Sequence, residues 1–161
     1  MKNNKKGFTL IELLAVIVIL AILVMLAIPA VTRYLQSARK NTFADNALRA
    51  VEAVRNDVVS AGFGSGSLLS GTDNRVCSNG SCTYNMSAIN DLLENKLNTS
   101  SFGGSFVTGG CATITVTNGT GNAKATYTMK MVDSNGNGFD TTDVANIDQS
   151  IVKDDGSLSC S

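Results

Sequence analysis

From Leu13 to Thr32 the chain runs through twenty residues without a charge, and from Leu13 to Ile28 every one of them is apolar. At about 1.5 Å per residue, a helix of that length matches the roughly 30 Å hydrocarbon layer of a bilayer. Lys2, Lys5 and Lys6 precede it. Cations on that side hold an N-terminus in the cytoplasm. The sequence therefore predicts a precursor that enters the membrane once, and the first 31 residues constrain the protein more than all that follow.

A secretory signal peptide also begins basic and continues apolar. Its apolar core, however, is usually about 7–15 residues, and it closes on a small-x-small cleavage site. Here Ile28-Pro29-Ala30 places a branched residue where a small one is required. Neither a signal peptide nor a plain anchor accounts for Glu12, a carboxylate at the rim of the apolar run, where a charge in lipid costs at least a few kcal/mol. One local role is available: Thr9-Leu10-Ile11-Glu12 has the spacing of a capping box, in which both side chains satisfy free backbone donors at a helix start.

The segment Lys5-Lys6-Gly7-Phe8-Thr9-Leu10-Ile11-Glu12-Leu13-Leu14 resembles the processing motif of type IV prepilins and pseudopilins. The resemblance covers about residues 5–35. It implies cleavage after Gly7 by a prepilin peptidase that also methylates the new amine of Phe8. It further implies an ion pair between Glu12 and the Phe8 amine of a neighbouring subunit. Methylation leaves an amine cationic, so two charges that are each costly in an apolar core offset one another. Glycine at the cut lets the backbone lie close to a protease. Pro29 has no N–H and breaks a helical hydrogen bond; a static kink and, as the resemblance implies, a helix that loosens within the fibre are both open.

Thr32 to Ala61 lacks Gly and Pro and becomes amphipathic. Ala44, Ala47, Val51, Val54 and Val58 recur at spacings of three and four. One helix from Thr9 to about Ser60 is expected, near 78 Å long at 1.5 Å per residue. Gly62-Phe63-Gly64-Ser65-Gly66 should end it. A short helix capped at Ser87 is expected over Ile89, Leu92, Leu93 and Leu97. From Cys111, Ala112, Ile114 and Val116 alternate with threonines. After a turn at Asn118-Gly119, Tyr127, Met129 and Met131 alternate in a second strand. Two further strands are expected over Ile147–Lys153 and Leu158–Cys160. The fold class is α+β, the type IV pilin fold in the terms of the resemblance: a long N-terminal helix spine with a C-terminal antiparallel β-sheet head. Its divisions are a leader at 1–7, a transmembrane and filament-core half-helix at 8–31 and an amphipathic half-helix at 32–61. A Gly/Ser-rich connection with a short helix follows at 62–110, and the sheet region at 111–161.

Cys77, Cys82, Cys111 and Cys160 form an even set in an exported chain, which favours disulfides in one of three connectivities. Asn79-Gly80 favours a two-residue hairpin that sets Cys77 opposite Cys82 at a non-hydrogen-bonded position. Cys111 then pairs with Cys160. A structural zinc site is disfavoured by the absence of a CxxC pair and of any histidine.

Asp133, Asn135, Asn137, Asp140 and Asp143 place oxygen ligands at intervals that resemble a calcium loop, with Gly136 and Gly138 among them. Val144 stands where the bidentate glutamate belongs, and a polar turn between strands explains the same residues. Calcium is thus a possible cofactor; none is required.

The composition points away from catalysis and from nucleic acid. There is no histidine, the commonest general base. Loss of Lys2, Lys5 and Lys6 leaves ten cations against thirteen anions, with no basic face for phosphates. The expected function is structural: a type IV pilus subunit for adhesion, motility or surface contact, or alternatively a pseudopilin of a secretion or DNA-uptake pseudopilus. Its partners would be other pilin subunits, the prepilin peptidase and methyltransferase, the assembly platform and, before assembly, membrane lipid. Its location would be the cytoplasmic membrane and then an extracellular fibre.

Overall fold

The computed structural model describes residues 7–60, 75–78, 80–117 and 125–160. The expected helix stop at Gly62–Gly66, the turn at Asn118-Gly119 and the leader lysines lie outside them. The first helix, α1, runs from Leu10 to Ser60 and carries Pro29 inside it. Two compact units divide the chain after Ser37.

In the N-terminal unit α1 is apolar on every side, and its large side chains are exposed: Ile17 56%, Leu20 53%, Val24 56%. Such a helix requires lipid or other helices around it. At Pro29 the helical assignment continues. The Thr32 hydroxyl turns back onto the Ile28 and Pro29 carbonyls, 3.1 Å from each.

In the C-terminal unit α1 buries Phe43, Ala44, Ala47, Ala50, Val51, Val54 and Val58. The predicted stripe is present, and Phe43 and Ala50 widen it. Alanine and valine keep this face low, so a sheet can lie close against it. That sheet has five antiparallel strands in chain order: β1 (Arg75–Ser78), β2 (Ser81–Asn85), β3 (Cys111–Thr117), β4 (Thr126–Val132) and β5 (Gly138–Asp143). Cys82 and Tyr84 on β2, Ala112, Ile114 and Val116 on β3, and Met129 and Met131 on β4 point into the core. Most alternate positions on β2 and β3 carry hydroxyls: Ser81, Thr83, Thr113, Thr115 and Thr117. Across β2 and β3, Ser81 faces Thr117 and Thr83 faces Thr115.

Phe43 anchors the junction between helix and sheet. Its ring lies 5.8 Å from Phe102, 5.5 Å from Phe106 and 6.0 Å from Phe139. Edge and tilted contacts at these separations suit the aromatic quadrupole. Removing such a fully buried ring typically costs about 3–5 kcal/mol.

Three expectations are corrected. The sheet begins at Arg75, so two of its strands come from the segment expected to be a connection. The short helix, α2 (Met86–Leu92), is capped by Asn85, whose side chain accepts from the Ala88 N–H at 3.0 Å, and not by Ser87. No strand forms over Ile147–Lys153 or Leu158–Cys160. In place of the first there is a 3-10 turn, Val144–Asn146, and a single bridge from Lys153 to Gly138. Asp148 accepts from the Ser150 N–H at 2.7 Å, and Asp155 from the Ser157 N–H at 3.1 Å. These local Asx bonds fold the backbone back on itself and remove it from ladder pairing.

Candidate assembly site at the N-terminus

Glu12 is held by a reciprocal cap. The Thr9 N–H and the Thr9 hydroxyl both donate to Glu12 Oε2 at 2.8 Å. The Glu12 N–H reaches Thr9 Oγ1 at 3.4 Å. The box read from the sequence is therefore formed, and it satisfies donors that a helix start leaves open. It uses one carboxylate oxygen. Among the described residues no cation approaches Glu12, and Oε1 has no partner.

Phe8 stands 93% exposed just before the cap. At Gly7 an added Cβ would meet nothing within 4 Å. Packing among the described residues therefore does not ask for glycine there. Three features coincide within six residues: a backbone open to approach, an exposed aromatic, and a carboxylate with one oxygen uncommitted. Behind them runs an apolar helix long enough to cross a membrane.

Residues 2–28 match the family model described as the prokaryotic N-terminal methylation motif. This is a class III prepilin-type signal. Gly7, Phe8 and Glu12 all lie within the matched residues, Glu12 at the start of the apolar stretch. The prepilin-type signal covers only the N-terminal unit, and no curated protein or solved structure matches the chain. The head behind the signal has the α+β arrangement of the type IV pilin fold, a long N-terminal helix followed by an antiparallel sheet.

The structure joins Cys77 to Cys82 and Cys111 to Cys160. In the β1–β2 hairpin Cys77 is the register partner of Cys82, with Cα atoms 4.1 Å apart, the close approach of a non-hydrogen-bonded pair. The second bridge ties the penultimate residue to the first residue of β3 across a separation of 49.

In the loop read as a calcium candidate, Asp133, Asp140 and Asp143 each accept from protein donors. Asp133 is buried. Its Oδ1 accepts the Asn135 and Asn137 N–H groups at 2.9 Å, while the Asn137 amide reaches both of its oxygens at 3.3 Å. The Ser100 hydroxyl takes Oδ2. Asp140 accepts from the Thr141 N–H at 2.8 Å and pairs with Lys130 at 3.5 Å, which holds its carboxyl below the usual range. Asp143 caps the 3-10 turn through the Ala145 N–H. Asp133, Asp140 and Asp143 do not form a common cluster among the described residues.

Sequence reasoning missed this use of Asp133, because its decisive partner, Ser100, is 33 positions away. It likewise missed the link from Asp57 to Tyr84. The only local signal was the Asp-Ser-Asn-Gly-Asn run, which marks a turn without naming what docks on it.

Proposed function

We propose that the chain is the structural subunit of a type IV pilus-like filament. It would be cut between Gly7 and Phe8, methylated on Phe8, and polymerised through the apolar half of α1. The observation that carries this reading is the pairing of an all-round apolar helix with one half-satisfied carboxylate at its rim. A lone anion is unfavourable in such a setting, and a cation supplied by a second copy would offset it. The new α-amine of Phe8 is the cation that processing creates. In the membrane the precursor helix would be solvated by lipid, and in the fibre by its neighbours. Adhesion, motility and surface contact are the roles such a polymer serves.

The prepilin peptidase with its methyltransferase and a membrane assembly platform are the partners this reading requires. Its test is the N-terminal sequence and mass of the protein recovered from cells. A mature chain beginning at methylated Phe8 in sheared extracellular material supports the reading. A chain that retains Met1 and stays in the membrane as a monomer overturns it. Electron microscopy of the sheared material separates long fibres from the short polymer expected of a pseudopilin.

A further inference from the structure

One concave feature lies wholly within the C-terminal unit. A cavity of about 520 Å³ opens between α2, the loop before β3 and the first residues of β3. Its size falls in the range of small-molecule sites. The polar groups around it are set in position by bonds to the protein. Asn85 Oδ1 is committed to the Ala88 N–H at 3.0 Å. Asn90 is buried; its Oδ1 accepts from the Leu97 N–H at 2.7 Å and its Nδ2 donates to Asn98 Oδ1 at 3.3 Å. With those oxygens engaged, Asn85 and Asn98 each retain a full NH2 group to offer.

Two opposite charges line the same cavity, Asp91 and Lys96. Both are exposed, and neither has an ion pair or hydrogen bond among the described residues. Met86 and the 60% exposed Val107 add an apolar wall. These features narrow the ligand. Equal and opposite charges give no net field to select an ion. An apolar ligand would cover the carboxamide NH2 groups and offer neither them nor the two charges a partner. A ring that presents hydroxyls on its edge and C–H groups on its face satisfies all of them. The carboxylate accepts two O–H groups, the amide and ammonium N–H groups donate to hydroxyl oxygens, and Met86 and Val107 cover the C–H face.

We propose that this cavity binds a neutral saccharide unit, with Asp91, Lys96 and Asn98 as its principal contacts. The site lies within one head, so it does not rest on the filament reading. The test is saturation-transfer NMR on the full chain in detergent micelles, with glucose, galactose and N-acetylglucosamine as probes. Transfer from at least one sugar is expected, with Kd on the order of 1 mM for a few hydrogen bonds in an open site. Asp91→Ala and Lys96→Ala should each weaken that sugar about tenfold. Neither side chain has a partner among the described residues, so both variants should fold. Glu94→Gln, beside the cavity but not lining it, should leave affinity unchanged. The proposal is overturned if no sugar gives transfer at roughly fifty times that concentration, or if Asp91→Ala binds as tightly as the parent. It is also overturned if free glycine, a zwitterion, displaces the sugar at equal concentration.

Discussion

The Tyr84 hydroxyl, on the strand β2, donates to Asp57 Oδ2 in the last turns of α1 at 3.0 Å. The ring is 1% exposed, so the bond forms at the edge of the core and ties helix to sheet at a fixed height. Tyr84→Phe keeps the ring and removes the donor. A hydrogen bond to a charged acceptor is worth about 1.5–3 kcal/mol. Urea unfolding of the variant should show that loss at an unchanged m-value. An unaltered midpoint would mean that water replaces the hydroxyl without cost.

Glu12→Gln separates the two roles of the residue at the apolar rim. Glutamine can still accept from the Thr9 N–H and hydroxyl, so the helix cap survives, but the charge is gone. The expected outcome is normal insertion and processing with little or no fibre in the sheared fraction. Glu12→Ala should fail in the same way, since losing one member of a buried pair costs on the order of 3–5 kcal/mol at each contact. A normal fibre yield from the glutamine variant would assign Glu12 to the cap alone.

The two disulfides should differ in weight. On the chain-entropy account, a bridge of separation 5 contributes about 2 kcal/mol and one of separation 49 about 4 kcal/mol. Thermal unfolding of Cys77→Ser/Cys82→Ser against Cys111→Ser/Cys160→Ser should therefore show the larger drop for the second pair. Without that bridge the C-terminal segment would still be held by Lys40 through Asp154 at 2.9 Å and by the pairing of Lys153 with Gly138.

Calcium should leave the head unaffected. The Asp133 oxygens already receive four protein donor groups, and a cation would have to displace them. Millimolar calcium is expected to produce no shift in Tm of the full chain in detergent. A rise would show that the loop can rearrange around the ion. Asp133→Asn should be the damaging change, because with its oxygen kept at the Oδ1 position for the backbone donors its NH2 replaces Oδ2, the acceptor of the Ser100 hydroxyl and the Asn137 amide; a loss of about 1.5–3 kcal/mol is expected.

Acid should destabilise the head through its exposed turns. Asp140 is held below its ordinary value of 3.8 by the Thr141 N–H and then by Lys130. Asp148 is lowered mainly by the Ser150 hydroxyl, and Asp155 mainly by the Ser157 side chain. A depressed folded pKa contributes stability that is fully present above the unfolded value and is lost as pH falls through the folded one. Tm should thus be flat above 3.8 and decline below it. The triple Asp→Asn variant should decline less across that window.

Legibility followed the range of the interactions. The start of α1, the Thr9–Glu12 cap and the apolar stripe from Ala44 to Val58 could be read because each is set by residues three or four apart. The β1–β2 hairpin and its disulfide could be read because an Asn-Gly pair in sequence favours a two-residue turn, which predicts Cys77 opposite Cys82. The tail misled because Ile147, Ile151, Val152 and Leu158 flank an Asp155-Gly156 turn signal, while Asp148 and Asp155 spend the same backbone on local turns.

By itself the sequence determined the membrane-length helix, the processing signal and the placement of a carboxylate at the apolar rim, since each depends on composition and spacing along one segment. The tertiary structure alone decided that Phe43 gathers three other aromatic rings, that Asp133 joins Ser100 to the β4–β5 turn, and that Asp91 and Lys96 share a cavity. These are pairings across tens of residues, and the chain carries no local preference that selects them; close packing around a common core does.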